Sequence, residues 1–235
     1  DVIHCLEQEV CNILYANRHL FVRTPKLVFS NGGAIPAGNL PNCDFVQEHT
    51  DYNLSRSARN KAFMIPHGVD INLFHPGVKT DFRRQHGIPG DAFVVISVGT
   101  ICYWHKRMDY VIREVAAVPG AFLVIVGQEC ADTEQIVALG KELMGERIVF
   151  TRMPHDELPN AYAAADVFVL GSLFETFGIV YIEAMAMGLP VFCTDHVNQR
   201  SIVKDGVFLD MRKAGVLTGA LSQVNQTLLE SLRTK

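Results

Sequence analysis

Two glutamates in the last third of the chain, Glu175 and Glu183, stand eight residues apart in the run ADVFVLGSLFETFGIVYIEAMAMGLPVFCTD at 165–195. The run reads as strand, loop, helix and strand: 166–170 is apolar, 171–177 turn-like, 178–187 helical until Gly188 and Pro190 stop it, and 189–193 a second buried strand. A helix start offers free N–H groups and the positive end of the macrodipole, and Gly178 has no side chain to keep an anion away. Glu183 falls about one and a half turns into that helix, where an ionised carboxylate can accept hydrogen bonds from paired sugar hydroxyls. Glu175, before the helix, can do the same for a second sugar. Each glutamate alone also reads as a solvated charge. Val180, Ile182, Ala184, Met185 and Met187 surround Glu183, however, and a carboxylate in so apolar a helix needs a partner or a ligand. The chemistry implied is recognition of a phosphorylated, hydroxyl-rich molecule.

A second group of chemistry-bearing residues lies between Gly99 and Lys106, joining a strand predicted at 93–98 to a helix predicted from about Lys106. That places Lys106 beside a phosphate at the carboxyl edge of a sheet. His105, Lys106 and Arg107 crowd the helix start, an unfavourable position for cations unless an anion is near. Asn31-Gly32-Gly33, after a strand predicted at 26–30, also reaches a carboxyl edge. A plain flexible turn is the competing reading there.

The elements that must position these residues alternate along the chain. The opening part reads as a strand at 1–5, a helix at 7–22 with Val10, Ile13, Leu14, Asn17 and Leu20 on related faces, and the strand at 26–30. Strands at 44–47 and 62–65 follow, separated by a helix starting near Thr50 or Asp51. The breaker-rich stretch Pro66-His67-Gly68-Val69-Asp70 and Phe74-His75-Pro76 suits an interdomain linker. Beyond it come strands at 93–98, 122–126 and 148–150, helices from about 106, at 133–144 and near 158–164, the 165–195 unit, and a helix from 213 to about 231. Such alternation implies an α/β fold with a doubly wound parallel sheet and right-handed crossovers.

A length of 235 residues with a net charge of −4 argues against bulk electrostatic attraction to nucleic acid or membrane surfaces. No apolar run reaches the roughly 18 residues of a membrane span. The first residues lack the plan of a signal peptide and read as the middle of a domain, so a fragment is expected. The six cysteines form no CxxC pair and do not cluster with the nine histidines as metal ligands would. They are expected to be reduced core thiols, which favours the cytoplasm.

The residues Ser172, Glu175, Phe177, Gly178, Ile179, Glu183, Ala184, Met185, Ala186, Gly188 and Pro190 resemble the E-x7-E signature of retaining glycosyltransferases with the two-domain GT-B fold, glycosyltransferase family 4. The resemblance covers about residues 26–210 and is most specific in 165–195. It implies that Glu175 contacts the donor hexose, that the loop and helix-start residues Phe177, Gly178 and Ile179 hold a diphosphate, and that Glu183 binds the ribose. Lys106 corresponds to a diphosphate lysine, whereas Thr100 stands where the family has an arginine, so His105 is expected to replace that arginine in part. Met153 falls where the backbone holds the base. Asn31 replaces a histidine usual at its strand end, and His67 an asparagine usual in the crossover.

The resemblance further implies a partial N-terminal, acceptor-side Rossmann-like domain at 1–72 and a C-terminal domain at 73–235 that binds the nucleotide sugar. Glu175 and Lys106 would be catalytic, with Thr100, His105, Met153, Thr176, Phe177, Gly178, Ile179 and Glu183 binding substrate. The nucleoside diphosphate sugar would be a donor substrate, with no cofactor and no metal. The acceptor would be a saccharide, lipid or small molecule, with any peripheral membrane contact made through an N-terminal part outside the chain. Two other readings stand beside this one: a non-catalytic nucleotide-sugar-binding module, favoured by Thr100 and Asn31, and a GT-B-fold sugar-nucleotide epimerase.

Overall fold

The structure, a computed structural model, describes residues 1–58 and 60–233. It divides into two compact units, the first formed by 1–68 with 175–178 and 197–202, the second by 69–174, 179–196 and the residues from 203 onward.

The first unit contains β1 (Val2–Cys5), α1 (Gln8–Asn17), β2 (Lys26–Ser30), β3 (Phe45–Glu48), α2 (Asp51–Arg56) and β4 (Ala62–Met64). Its four strands pair in parallel in the order β1-β2-β3-β4. Cys5, Cys11, Leu27, Phe29, Cys43 and Val46 form its core, with Leu14 and Tyr15 packed against them. Two expectations are corrected here. The first helix ends at Asn17 and continues only as a 3-10 turn, Arg18–Leu20. Its buried face is Cys11 with Leu14 and Tyr15, whereas Val10, Ile13 and Leu20 are 50%, 62% and 73% exposed. Apolar residues one position apart are separated by about 100° on a helix, so two stripes compete, and the one beside the strands wins. Asp44 ties β2 to β3, accepting from the Leu27 N–H at 2.9 Å and pairing with Arg18 and Lys26. Burial works to raise its pKa, yet the Leu27 N–H and the Lys26 and Arg18 cations hold the carboxyl below its ordinary value.

Further along the chain lie α3 (Phe82–Gln85), β5 (Val94–Val98), α4 (Met108–Ala116), β6 (Phe122–Val126), α5 (Thr133–Met144), β7 (Ile148–Thr151), α6 (Leu158–Tyr162), β8 (Val167–Val169), α7 (Ile179–Ala186), β9 (Val191–Thr194), α8 (Val197–Val203), β10 (Val207–Leu209) and α9 (Val216–Arg233). Six parallel strands run in the order β10-β9-β8-β5-β6-β7. Val94, Val95, Ile96, Val124 and Ile125 are all fully buried, as expected for a parallel sheet covered on both faces. Arg83 and Asp166 lock the edge of this unit: the guanidinium donates to Ala164 O, Gly90 O and Ala92 O and pairs with Asp166 at 3.0 Å, while Asp166 accepts from the Val94 N–H at 2.7 Å.

The helix expected from Lys106 begins at Met108, because Arg107 adopts a left-handed conformation, φ 49° and ψ 47°, that breaks helical continuity before it. The last helix starts at Val216 rather than Lys213. Buried Glu114 on α4 fixes that start, accepting from the N–H groups of Gly215 and Thr218 at 2.7 and 2.9 Å. Among the described residues, no helix is long and apolar enough to cross a membrane. Five cysteines are buried core thiols, but Cys130 is exposed.

Candidate functional site

The site in the second unit begins where three neighbouring strands end together. The register aligns Val98 with Val126 and Val126 with Thr151, so Gly99, Gly127 and Arg152 leave the sheet at one level. The chain winds outward from β5 to β7 and then restarts on the other side of β5 with β8, a topological switch point whose carboxyl edge is the usual ligand position in such sheets. A cavity of about 720 Å³ opens there, lined by Gly99, Thr100, Gly127, Gln128 and the stretch Arg152–His155. Glycine is required at its floor. A Cβ on Gly127 would stand 1.7 Å from the Gly99 carbonyl oxygen. A Cβ on Gly99, whose φ is 149°, would meet Cε of Lys106 at 3.0 Å, so the aliphatic part of Lys106 lies along the carboxyl end of β5.

The neighbours of Lys106 stand just before α4 with Arg107 at its N-cap, and each has a separate engagement. Arg107 donates to the carbonyls of Gly171 and Met211, at 3.2 and 2.9 Å, and its guanidinium lies 4.4 Å over the Tyr110 ring. It is an anchor between loops. His105 stacks on exposed Trp104 with ring centroids 5.1 Å apart and is not among the residues lining the cavity. Thr100 and Met153 both line it.

Glu183 lies on α7 with only 2% of its surface exposed. Its Oε2 accepts from the Tyr162 hydroxyl at 2.9 Å, and its Oε1 lies 2.8 Å from Nε2 of His155. Because a carboxylate is an acceptor, His155 serves it as the tautomer or cation protonated at Nε2. Tyr162 is fully buried, and burial, followed by the adjacent Glu183 charge, pushes its phenol well above its ordinary pKa. The His155 side chain is 65% exposed and lines the cavity, so the imidazole that holds buried Glu183 also faces that space. A bound diol can replace a histidine donor of this kind without leaving the carboxylate bare.

In the first unit, the segment 175–178 is held by its backbone. Asn198 donates to the Glu175 carbonyl at 2.6 Å and to the Thr176 carbonyl at 3.1 Å, which also accepts from Asn53 at 3.1 Å. Glu175 is 5% exposed, so it is not a solvated loop charge. Phe177 meets His67 edge-on at 5.1 Å, and His67 stacks on His49 at 4.0 Å. Gly178 has φ 72°, in the region that favours glycine, immediately before Ile179 opens α7. Asn31 is buried and fully engaged, donating to Glu48 Oε1 at 2.8 Å and Ile35 O at 3.0 Å and accepting from the Ile35 N–H at 2.7 Å. Its side chain shapes its own turn.

Sequence reasoning missed His155, Tyr162, Arg152 and Asn198. A buried carboxylate announces that it needs donors, but nothing in the spacing says that they come from positions 21 and 28 residues earlier. Among the described residues, no group of three or more histidine, cysteine, aspartate or glutamate side chains is arranged to hold a metal ion.

The model of the family described as glycosyl transferases group 1 matches residues 78–229. The D-inositol 3-phosphate glycosyltransferase of Mycolicibacterium smegmatis is 32% identical over 161 residues, 66% of this chain and 37% of the relative. D-inositol 3-phosphate glycosyltransferase 1 of Catenulispora acidiphila is 33% identical over 165 residues, 64% of this chain and 39% of the relative. The chain thus spans well under half the length of these curated relatives. Among solved structures, sucrose-phosphate synthase from Thermosynechococcus elongatus superposes with a TM-score of 0.80 at 23% identity, covering 97% of this chain and 65% of the other. HepE from Anabaena, in complex with UDP and glucose, gives a TM-score of 0.79 at 20% identity, covering 99% and 69%. These likenesses establish the fold: two parallel, Rossmann-like α/β units of the GT-B kind.

Proposed function

Because the chain belongs to the family of glycosyl transferases group 1, we propose that it carries the donor-binding part of a retaining glycosyltransferase of family 4, moving a sugar from a nucleoside diphosphate sugar to an acceptor. The observation that carries this reading is Glu183, a buried carboxylate held by Tyr162 and by a histidine that lines the cavity at the carboxyl ends of β5, β6 and β7. Burying an ionised carboxylate is unfavourable by several kcal/mol unless its hydrogen bonds are satisfied. The hydroxyl pair of a ribose satisfies Oε1 when His155 moves aside.

In this reading the nucleoside diphosphate sugar is a substrate, and no metal or cofactor takes part. Lys106, lying along β5 beside Gly99, supports a cation at the diphosphate, and the free N–H groups at the start of α7 support a second contact. Both oppose the charge that grows on the departing nucleoside diphosphate, and charge stabilisation of this kind carries much of the barrier lowering in transfer reactions. The resemblance assigns Glu175 to the donor hexose and the Met153 backbone to the base. Thr100 on the cavity wall, uncharged where the resemblance places an arginine, favours a second reading: a module that binds the nucleotide sugar without transferring it.

Calorimetric titration with nucleoside diphosphates, on the parent and on Glu183→Gln, tests the site. A hydrogen bond to a charged group contributes about 1.5–3 kcal/mol, so affinity should drop roughly tenfold or more in the variant while the fold persists. Unchanged affinity in a folded variant would return Glu183 to a structural role. Hydrolysis of a labelled donor sugar, which needs no acceptor side, would argue against the second reading.

A further inference from the structure

We propose that Arg152 selects the base of the bound nucleotide by its ring carbonyl, so that this site takes uridine or guanosine diphosphates and discriminates against cytidine and adenosine diphosphates; the inference rests on the donor-site reading above. Arg152 follows β7 directly and lines the cavity next to Met153. It also lines an adjoining polar cavity of about 470 Å³, together with Met153, Thr151, Glu157 and Asn160. Most arginines of this unit are committed: Arg83 to Asp166 and three carbonyls, Arg84 to Asp81, Arg107 to two carbonyls, Arg147 to the Ala121 carbonyl. The exposed guanidinium of Arg152 makes no hydrogen bond or ion pair among the described residues, although acidic Asp156 and Glu157 are close to it in sequence.

The position of Arg152 points to the base rather than to the phosphates. Lys106 lies at the end of β5, and Arg152 leaves the sheet at the end of β7 with β6 between them. Two strand spacings amount to roughly 10 Å. A diphosphate at β5 therefore puts the far end of the nucleoside at β7, with the ribose between them. His155, which holds Glu183 at 2.8 Å, lines that same cavity.

The chemistry of the side chain then sets the preference. A guanidinium has five donors in a planar fork and no acceptor. Uracil and guanine present a ring carbonyl where cytosine and adenine present an amino group, which is itself a donor. Against the first pair the fork makes hydrogen bonds. Against the second it faces another donor and leaves both groups desolvated and unpaired.

The experiment titrates the 235-residue chain with UDP, GDP, CDP and ADP, for the parent, Arg152→Ala and Arg152→Gln, with thermal melting to confirm that each variant is folded. The parent should bind the two carbonyl bases roughly tenfold or more tightly than the two amino bases. Arg152→Ala should remove most of that ratio by weakening UDP and GDP, leaving CDP and ADP nearly unchanged. Arg152→Gln, which can both donate and accept, should flatten the ratio as well. Uniform weakening across all four nucleotides would put Arg152 on the diphosphate and overturn the inference, as would a ratio unchanged in Arg152→Ala. If the parent binds none of the four, the donor-site reading fails and this inference falls with it.

Discussion

The six-stranded and four-stranded sheets are both parallel, but they are covered differently. In the six-stranded sheet, β5, β6, β8 and β9 are buried along almost their whole length, and the core extends through α4, α5 and α9. In the four-stranded sheet the core is small and half its buried apolar members are cysteines, while α1 turns Val10 and Ile13 to solvent and edge strand β1 leaves Val2 67% exposed. Its buried polar residues instead form networks: Asn31 with Glu48, and Ser30 with His49. A parallel sheet is stabilised mainly by apolar cover on both faces. The second unit should therefore hold most of the chain's resistance to unfolding, and the first should be governed more by satisfied polar groups.

The largest test of this contrast pairs two truncations. Leu123→Ala, at a fully buried position on β6, should destabilise by about 2–5 kcal/mol, because the surrounding strands cannot collapse into the space. Ile13→Ala, on the exposed face of α1, should stay within about 0.5 kcal/mol of the parent. Urea unfolding of both variants measures the difference. Similar losses would mean that the first unit relies on its exposed stripe after all.

A smaller effect is expected at Glu114. Its carboxylate accepts from Gly215 N–H, Thr218 N–H and Thr218 Oγ1 at the start of α9, where a negative charge also opposes the positive end of the helix dipole. Glu114→Ala should cost about 1.5–3 kcal/mol and speed amide exchange in the first turns of α9. Protection unchanged there would show that apolar packing of Leu217 and Leu221 alone seats the helix.

The same contrast explains what was legible beforehand. In the six-stranded sheet, runs such as FLVIV at 122–126 and the amphipathic stretch at 133–144 contain one strong signal each, and the observed elements fall on those residues. Helix α8 was missed because VNQRSIV buries Asn198 and Gln199, polar residues that a hydrophobic pattern assigns to the surface. Strand β10, three residues long, is too short for a periodicity. Near the cavity, the need of Glu183 for a partner was readable from its apolar helix, and Lys106 from its place after one strand, whereas Thr100 and Met153 came from the resemblance and both line the cavity. Arg107 misled, since its left-handed backbone and its bonds to Gly171 and Met211 depend on loops remote in sequence. His155 and Tyr162 were invisible for the same reason.

The smallest expected effect depends on pH and should be confined to the first unit. His49 donates from Nδ1 to the Ile65 carbonyl at 3.2 Å, so its Nε2 accepts from the Ser30 hydroxyl at 3.0 Å. That arrangement uses the neutral ring. Burial lowers the pKa of His49, and burial followed by the neighbouring His49 lowers that of His67. At pH well above the unfolded-state value of about 6.5, both rings are neutral in both states and contribute no pH dependence. As pH falls through about 6.5, the unfolded chain takes up protons first, so the folded unit loses stability, and the loss levels off only once pH lies below the lowered folded values. Asp44 acts in a separate and lower window: its lowered carboxyl pKa gives stability that is present above about 3.9 and lost as pH falls through the folded value. Amide exchange of β3 and β4, followed from roughly pH 8 to 5 around the reference histidine value, should show weakening protection on the acid side for the parent. His49→Asn should reduce that slope, while exchange in β5 and β6 stays flat in both proteins. An equal acid slope in β5 and β6 would mean that the two sheets unfold as one, and that their different cover does not separate their stabilities.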